Sequence, residues 1–218
     1  MMAVLAQNAL WDRITSQTDP LVITPLLDEE QVGAASIDVR IGHQFIVLQR
    51  PAVTHIDPTN MNELEQNLHQ TQRKLRVALN ERFIIHPGQL VLAATLEYVA
   101  MPKDLAATVE GRSSWGRLGL IIATACSVAP GFKGCITLEL VNDGEVPLVL
   151  YPGMRIAQLV FHKTEKEADY RRPSTISQTS NNRVDTQAKY DCPTGPEFSR
   201  IHEDAEMGIW GQKADTAL

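Results

Sequence analysis

Clustered metal ligands are the first thing this sequence lacks. Its three cysteines, Cys126, Cys135 and Cys192, form no CxxC pair, and its six histidines show no HxxxH spacing. A zinc site built from thiolates or imidazoles is therefore unsupported. Long apolar runs are missing too: no window approaches the roughly 18 uninterrupted apolar residues of a membrane span. The N-terminal stretch MMAVLAQNALWDRITSQ has neither a basic start nor an apolar run before a small-residue cleavage site, which points to a cytoplasmic protein without a signal peptide. Cationic excess is absent as well. The formal net charge is −6, which argues against a nucleic-acid partner, since wrapping a phosphate backbone needs a broad basic surface. A small anion needs only a few local donors and stays compatible with that charge.

What is present reads mainly as β structure. In ASIDVRIG, which ends at Gly42, Ile37, Val39 and Ile41 alternate with Asp38 and Arg40, the period of a half-buried strand. From Phe83 to Phe161, short Val/Ile/Leu runs are divided by turn signals at His86-Pro87-Gly88, Pro130-Gly131, Asp143-Gly144 and Pro152-Gly153. Such spacing predicts a sandwich, barrel or jelly-roll-like fold and not a βαβ fold. Between the β segments, Leu64, Leu68, Leu75 and Leu79 predict one longer amphipathic helix over about 61–80, with a drift of register in its middle. The β domain is expected to span 1–166. Residues 167–218 turn polar and read as a C-terminal arm, either disordered or folded over a ligand or a neighbouring subunit.

Two segments carry candidate chemistry. EGRSSWGRLGL, Glu110 to Leu120, gathers Arg112, Arg117, Ser113 and Ser114 among three glycines. Guanidinium forks, hydroxyls and exposed amides together suit phosphate oxygens. The same pattern also fits a turn-rich helix start with solvated arginines. In GCITLELVNDG, Ile136, Leu138 and Leu140 point to one face and Glu139 to the other. Glu139 is then either a solvent-facing strand carboxylate or, beside a bound base, a general base. Asp38 and Arg40 share a strand face, a pattern that fits a surface ion pair or an edge-strand guard. Arg155 and Gln158 follow a tight turn.

In this order, ASIDVRIG, EGRSSWGRLGL, APGFKGCITLELVNDG and PGMRIAQLVF resemble the successive motifs of the dCTP deaminase/dUTPase superfamily. HPGQLVLAATLEYVAMPKDLAATVEGRSS and the tail AKYDCPTGPEFSRI bring the chain nearer the dCTP deaminase branch. The resemblance implies a distorted β-barrel, the dUTPase-like β-clip, assembled as a homotrimer with active sites between subunits. It implies hydrolytic deamination of a deoxypyrimidine triphosphate, dCTP to dUTP, with Mg²⁺ on the phosphates and no zinc. Glu139 matches the family's catalytic glutamate, and Ser113 and Arg117 match catalytic residues that hold the water, the phosphates and the developing charge. Arg112, Ser114 and Gln158 match phosphate contacts, Ala125 and Val128 border the substrate, and Lys189 and Tyr190 match a closing C-terminal arm.

Three positions depart from the family pattern. Where TAHxIDPG or TAGxIDPG is usual, this chain reads Thr124-Ala125-Cys126-Ser127-Val128-Ala129-Pro130-Gly131. Ala129 thus stands for an aspartate that contacts the sugar 3′-hydroxyl and, in dUTP-hydrolysing members, activates water. Cys126 stands for His or Gly, and Pro193 stands where a glutamine is expected. A methyl group neither accepts a hydrogen bond nor takes a proton. The expectation is a deaminase without diphosphohydrolase activity. The alternatives are a catalytically degenerate nucleotide-binding or regulatory homologue, and a dUTP diphosphatase.

Overall fold

The structure is a computed structural model that describes residues 3–49, 55–122, 127–170, 190 and 192–201. It opens with a short helix, α1 (Gln7–Ile14), and strand β1 (Val22–Thr24), followed by a single 3₁₀ turn at Glu29–Gln31. Two long strands then frame the molecule: β2 (Ile37–Leu48) and β5 (Leu90–Ala100). Between them lie α2 (Met61–Thr71), β3 (Gln72–Arg76) and β4 (Phe83–Ile85). After β5 come β6 (Leu105–Gly111), the one-turn helix α3 (Ser113–Gly116), β7 (Leu120–Ile122) and β8 (Ser127–Val128). The strands close with β9 (Lys133–Asn142), β10 (Leu148–Leu150) and β11 (Arg155–Lys163). No helix among the described residues is long and apolar enough to cross a membrane.

The main sheet runs β7-β9-β5-β2-β11-β6-β8, with β1 on β5 and β3 on β2, and every pair is antiparallel. It curls because its long strands change register part-way, β2 between Ile41 and Phe45 and β5 between Ala94 and Tyr98. Each long strand then serves different neighbours with its two halves: β2 pairs with β11 through Ile37–Arg40 and with β3 through Gln44–Leu48. At the second shift, the Thr95 hydroxyl donates to the Glu97 carbonyl at 2.7 Å and accepts from the Ile136 amide at 2.9 Å, so the irregular backbone stays hydrogen-bonded. Inside the curl, the core joins Ile37, Val39 and Ile41 to Leu138, Leu140 and Phe161, all essentially inaccessible. Phe45 and Phe83 stack there with ring centroids 4.2 Å apart. The mainly β, barrel-like reading holds.

Two local expectations need correction. The helix predicted over 61–80 stops at Thr71, and the drift in the leucine spacing marks a change of period, not a slip within a helix. Asn60 caps the start by accepting from the Glu63 amide, and the Thr71 hydroxyl donates back to the Asn67 carbonyl at 2.6 Å. Beyond Thr71 the chain pairs with β2, where Leu75 lies opposite Phe45. Backbone pairing against an existing strand outweighs helix propensity here. Leu64 is buried under the helix, whereas Leu79 lies past the strand and is 66% exposed.

The second correction concerns Asp38 and Arg40. Strand β2 is interior to the sheet, so Arg40 guards no edge. Nor is it on the surface: Arg40 is 6% exposed, and its guanidinium and amide both bind Glu97, which is wholly buried.

Candidate active site

Strand β9 delivers Glu139 to a cavity of about 540 Å³. The alternation read from the sequence places it: Leu138 and Leu140 are fully buried on the core side, and Glu139 is half-buried on the other. Glu139 pairs with Leu92 of β5, and the floor of the cavity continues over Leu92, Leu90 and Leu48. Thr137 and Cys135 extend the β9 side, while Val128, Ala129 and Phe132 form an apolar wall. Burial raises the Glu139 pKa above the ordinary glutamate value. Burial also raises that of the Cys135 thiol, helped by the negative charge of Glu97.

The C-terminal arm roofs the same cavity through Tyr190, Pro193, Glu197 and Ser199. It is fastened to the β domain at several points. The Pro193 carbonyl accepts from the Cys135 amide at 2.7 Å, and the Glu197 amide donates to the Thr137 hydroxyl at 3.4 Å. Phe198 lies under the Lys74 ammonium, 4.6 Å from ring centroid to nitrogen. Pro193 fits because the strand carries Gly134 beneath it: a Cβ there would meet the proline ring Cγ at 2.8 Å, and the φ of +149° suits glycine. The departure at Pro193 thus has a structural place, as the point where the arm meets β9.

A second group of candidate residues lies apart from this cavity. Arg112 precedes α3, Ser113 and Ser114 are exposed in its turn, and Arg117 follows it. The turn is anchored by the Trp115 indole, which donates to the Arg155 carbonyl at 2.9 Å. Gln158 stands opposite Asp38 on one neighbouring strand and Glu110 on the other, and donates to the Glu110 carboxylate at 3.2 Å. Arg112 reaches Asp38 at 3.5 Å. Arg117 donates to the Ser113 hydroxyl at 3.5 Å and ion-pairs with no carboxylate among the described residues. This face carries cations and hydroxyls in a form suited to an anion.

The structure therefore splits the predicted site residues in two. Glu139, Val128 and Tyr190 share one cavity, while Arg112, Ser113, Ser114, Arg117 and Gln158 form a separate surface, and none of these five lines the cavity. Among the described residues, no Lys or Arg lines it at all. Ala125 and Lys189 lie outside the described residues. Sequence reasoning missed Thr137, Phe132, Tyr170 and Gln72 as cavity residues. Thr137 was accessible in principle, because it shares the Glu139 face two residues away. Gln72 was hidden by the helical reading of its segment.

The arrangement is thus a curled antiparallel β fold with a half-buried carboxylate facing a cavity and an Arg/Ser/Gly turn on a separate, anion-suited face. The sequence model of the dCTP deaminase-like family matches residues 4–164, and the chain belongs to that family. It is 43% identical over 206 residues to a dCTP deaminase of Halorubrum lacusprofundi, with 94% of each chain covered. It is 40% identical over 209 residues to a dCTP deaminase, dUMP-forming, of Methanobrevibacter smithii, covering 94% of this chain and 99% of that one. Among solved structures, the fold is similar to that of a 2′-deoxycytidine 5′-triphosphate deaminase from Agrobacterium tumefaciens. The TM-score is 0.56 at 21% identity, with 74% of this chain covered and 48% of that longer chain.

Proposed function

We propose that the protein hydrolyses the 4-amino group of dCTP, giving dUTP and ammonia, with Glu139 as general base. The observation that carries this reading is a half-buried carboxylate of raised pKa lining a closed-over cavity large enough for a pyrimidine. Glu139 takes a proton from water as the oxygen adds to C4. It delivers that proton to N3, and the proton of the new C4 hydroxyl passes through the same carboxylate to the amine as the C4–N bond breaks, leaving a C4 carbonyl and ammonia. General acid–base assistance of this kind contributes roughly 10²–10⁴-fold. The sequence lacks the HxE and PCxxC ligands of zinc nucleobase deaminases, so the reading runs without zinc.

Among the described residues no Lys or Arg stands beside Glu139 and Glu197 in the cavity to receive a triphosphate. We assign its phosphates to Arg112, Ser113, Ser114, Arg117 and Gln158 of a neighbouring copy in a homotrimer, so that each site joins two half-sites. Mg²⁺ would ride on the phosphates, where it neutralises charge. Among the described residues no three His, Cys, Asp or Glu side chains cluster to hold a metal. We assign Tyr190 and the neighbouring Lys189 to substrate closure, supported by the position of Tyr190, Pro193, Glu197 and Ser199 on the cavity.

The two sequence relatives carry different names, one of them dUMP-forming. At the cavity wall of this chain stands Ala129, whose methyl group cannot activate water for attack on phosphorus. We infer that the product stays dUTP. A second reading, a nucleotide-binding homologue without turnover, is favoured by the same Ala129, which removes a polar contact from the cavity wall. The deciding experiment incubates the protein with dCTP and Mg²⁺, following ammonia release and separating nucleotides chromatographically. Ammonia with dUTP supports the deaminase. Binding without product supports the second reading, and dUMP or pyrophosphate overturns the argument from Ala129.

A further inference from the structure

A chain of alternating charges runs from the core to the anion-suited face. At its inner end, Glu97 is wholly buried; it accepts from the Arg40 amide at 2.8 Å, the Arg40 guanidinium at 3.1 Å and the Gln31 side chain at 3.2 Å. Arg40 turns its other nitrogen to Asp28 at 2.6 Å. Asp28 gives its second oxygen to Arg155, also at 2.6 Å. Arg155 reaches Asp38 at 3.6 Å, and the same Asp38 oxygen faces Arg112 at 3.5 Å. Every link except Asp28 sits on a strand of the sheet or, like Arg112, directly after one. Asp28 lies in the loop before the 3₁₀ turn, 39% exposed, with one oxygen for each arginine.

We propose that Asp28 is a positioning residue for the triphosphate: by holding Arg155, it leaves Asp38 free to orient Arg112. This inference rests on the reading that phosphates dock at Arg112. Its logic is geometric. Without the Asp28 carboxylate, one Arg155 nitrogen loses its partner, while the other already stands beside Asp38. The guanidinium fork then closes on Asp38 with both nitrogens, the preferred geometry for such a pair. Arg112 loses the carboxylate that sets its direction.

Simple electrostatics and positioning predict opposite signs. Removing a negative charge near the anion site favours triphosphate binding if only the field matters. Loss of Arg112 orientation weakens it. In Asp28→Asn, the KM for dCTP rises about tenfold while kcat stays within about twofold, and Asp28→Glu recovers most of the loss. Arg155→Lys keeps the charge but cannot close a two-nitrogen fork on Asp38, so added to Asp28→Asn it brings KM back to within about twofold of wild type, and Asp28→Ser serves should Asp28→Asn not fold. Asp104→Asn breaks a comparable pair with Arg13 elsewhere in the molecule and leaves KM unchanged. An Asp28→Asn enzyme with unchanged or lowered KM overturns the proposal. If the wild-type protein does not turn over dCTP, the deaminase reading fails separately. Calorimetry with inorganic tripolyphosphate then still tests positioning: weaker binding by Asp28→Asn than by wild type supports it, and equal or tighter binding overturns it.

Discussion

The Glu139 cavity and the Arg112–Arg117 face are built from opposite materials. One is enclosed, floored by leucines and supplied with carboxylates; the other is open and supplied with guanidinium and hydroxyl groups. The difference follows from what each has to recognise. A neutral ring gains from desolvation, and a carboxylate beside it gains basicity from the same burial. A polyanion gains from donors that remain hydrated until it arrives. On the proposed function, a nucleoside triphosphate needs both regions.

Four experiments break or sharpen that contrast. The largest effect belongs to Glu139→Gln, which lowers kcat by roughly 10²–10⁴-fold while dCTP still binds, as read by ammonia release and calorimetry. Next, Glu139→Gln and Arg117→Ala chains are each nearly inactive, and refolding them together restores activity. Mixed chains that stay inactive would place both halves of a site in one copy. Third, Glu97→Ala leaves the Arg40 guanidinium with Asp28 alone and its amide without an acceptor, and costs about 1–3 kcal/mol in urea unfolding. The smallest effect is in pH. Deamination needs the Glu139 carboxylate ionised, so the acid limb of kcat/KM lies above the ordinary glutamate range. The sign for stability is opposite. A carboxyl with a raised folded pKa favours its protonated form, so its contribution is present at low pH and is lost as pH rises through the folded value. Glu139→Gln is therefore slightly more stable than wild type near neutral pH and equal to it in acid, a difference that thermal unfolding at the two pH values measures.

Strand β9 was legible residue by residue, because Ile136, Leu138 and Leu140 alternate with Thr137 and Glu139 and the sheet buries one side of them. The Arg/Ser/Gly turn was legible from composition. Arg40 was not: its partner Glu97 is 57 residues away, and only the folded sheet shows that the pair is internal. Residues 72–76 were misread because Leu75 suits either period, and only pairing with β2 decides. The roof of the cavity was legible only through the resemblance, which placed Tyr190 in a closing arm. Polar tail residues carry no periodic signal, and their order comes from single contacts such as Pro193 on Gly134.

The loop that follows Arg117 and the turn that ends β9 abut at two glycines. A Cβ on Gly119 would come within 2.6 Å of the Gly144 nitrogen, and the Asp143 amide donates to the Gly119 carbonyl at 2.8 Å. Each loop therefore inherits the other's tolerance for change. A residue inserted into one has to be accommodated by the other, so the Arg/Ser/Gly motif and the Glu139 strand are constrained to drift together. Loop grafting between relatives would have to move both segments as a pair.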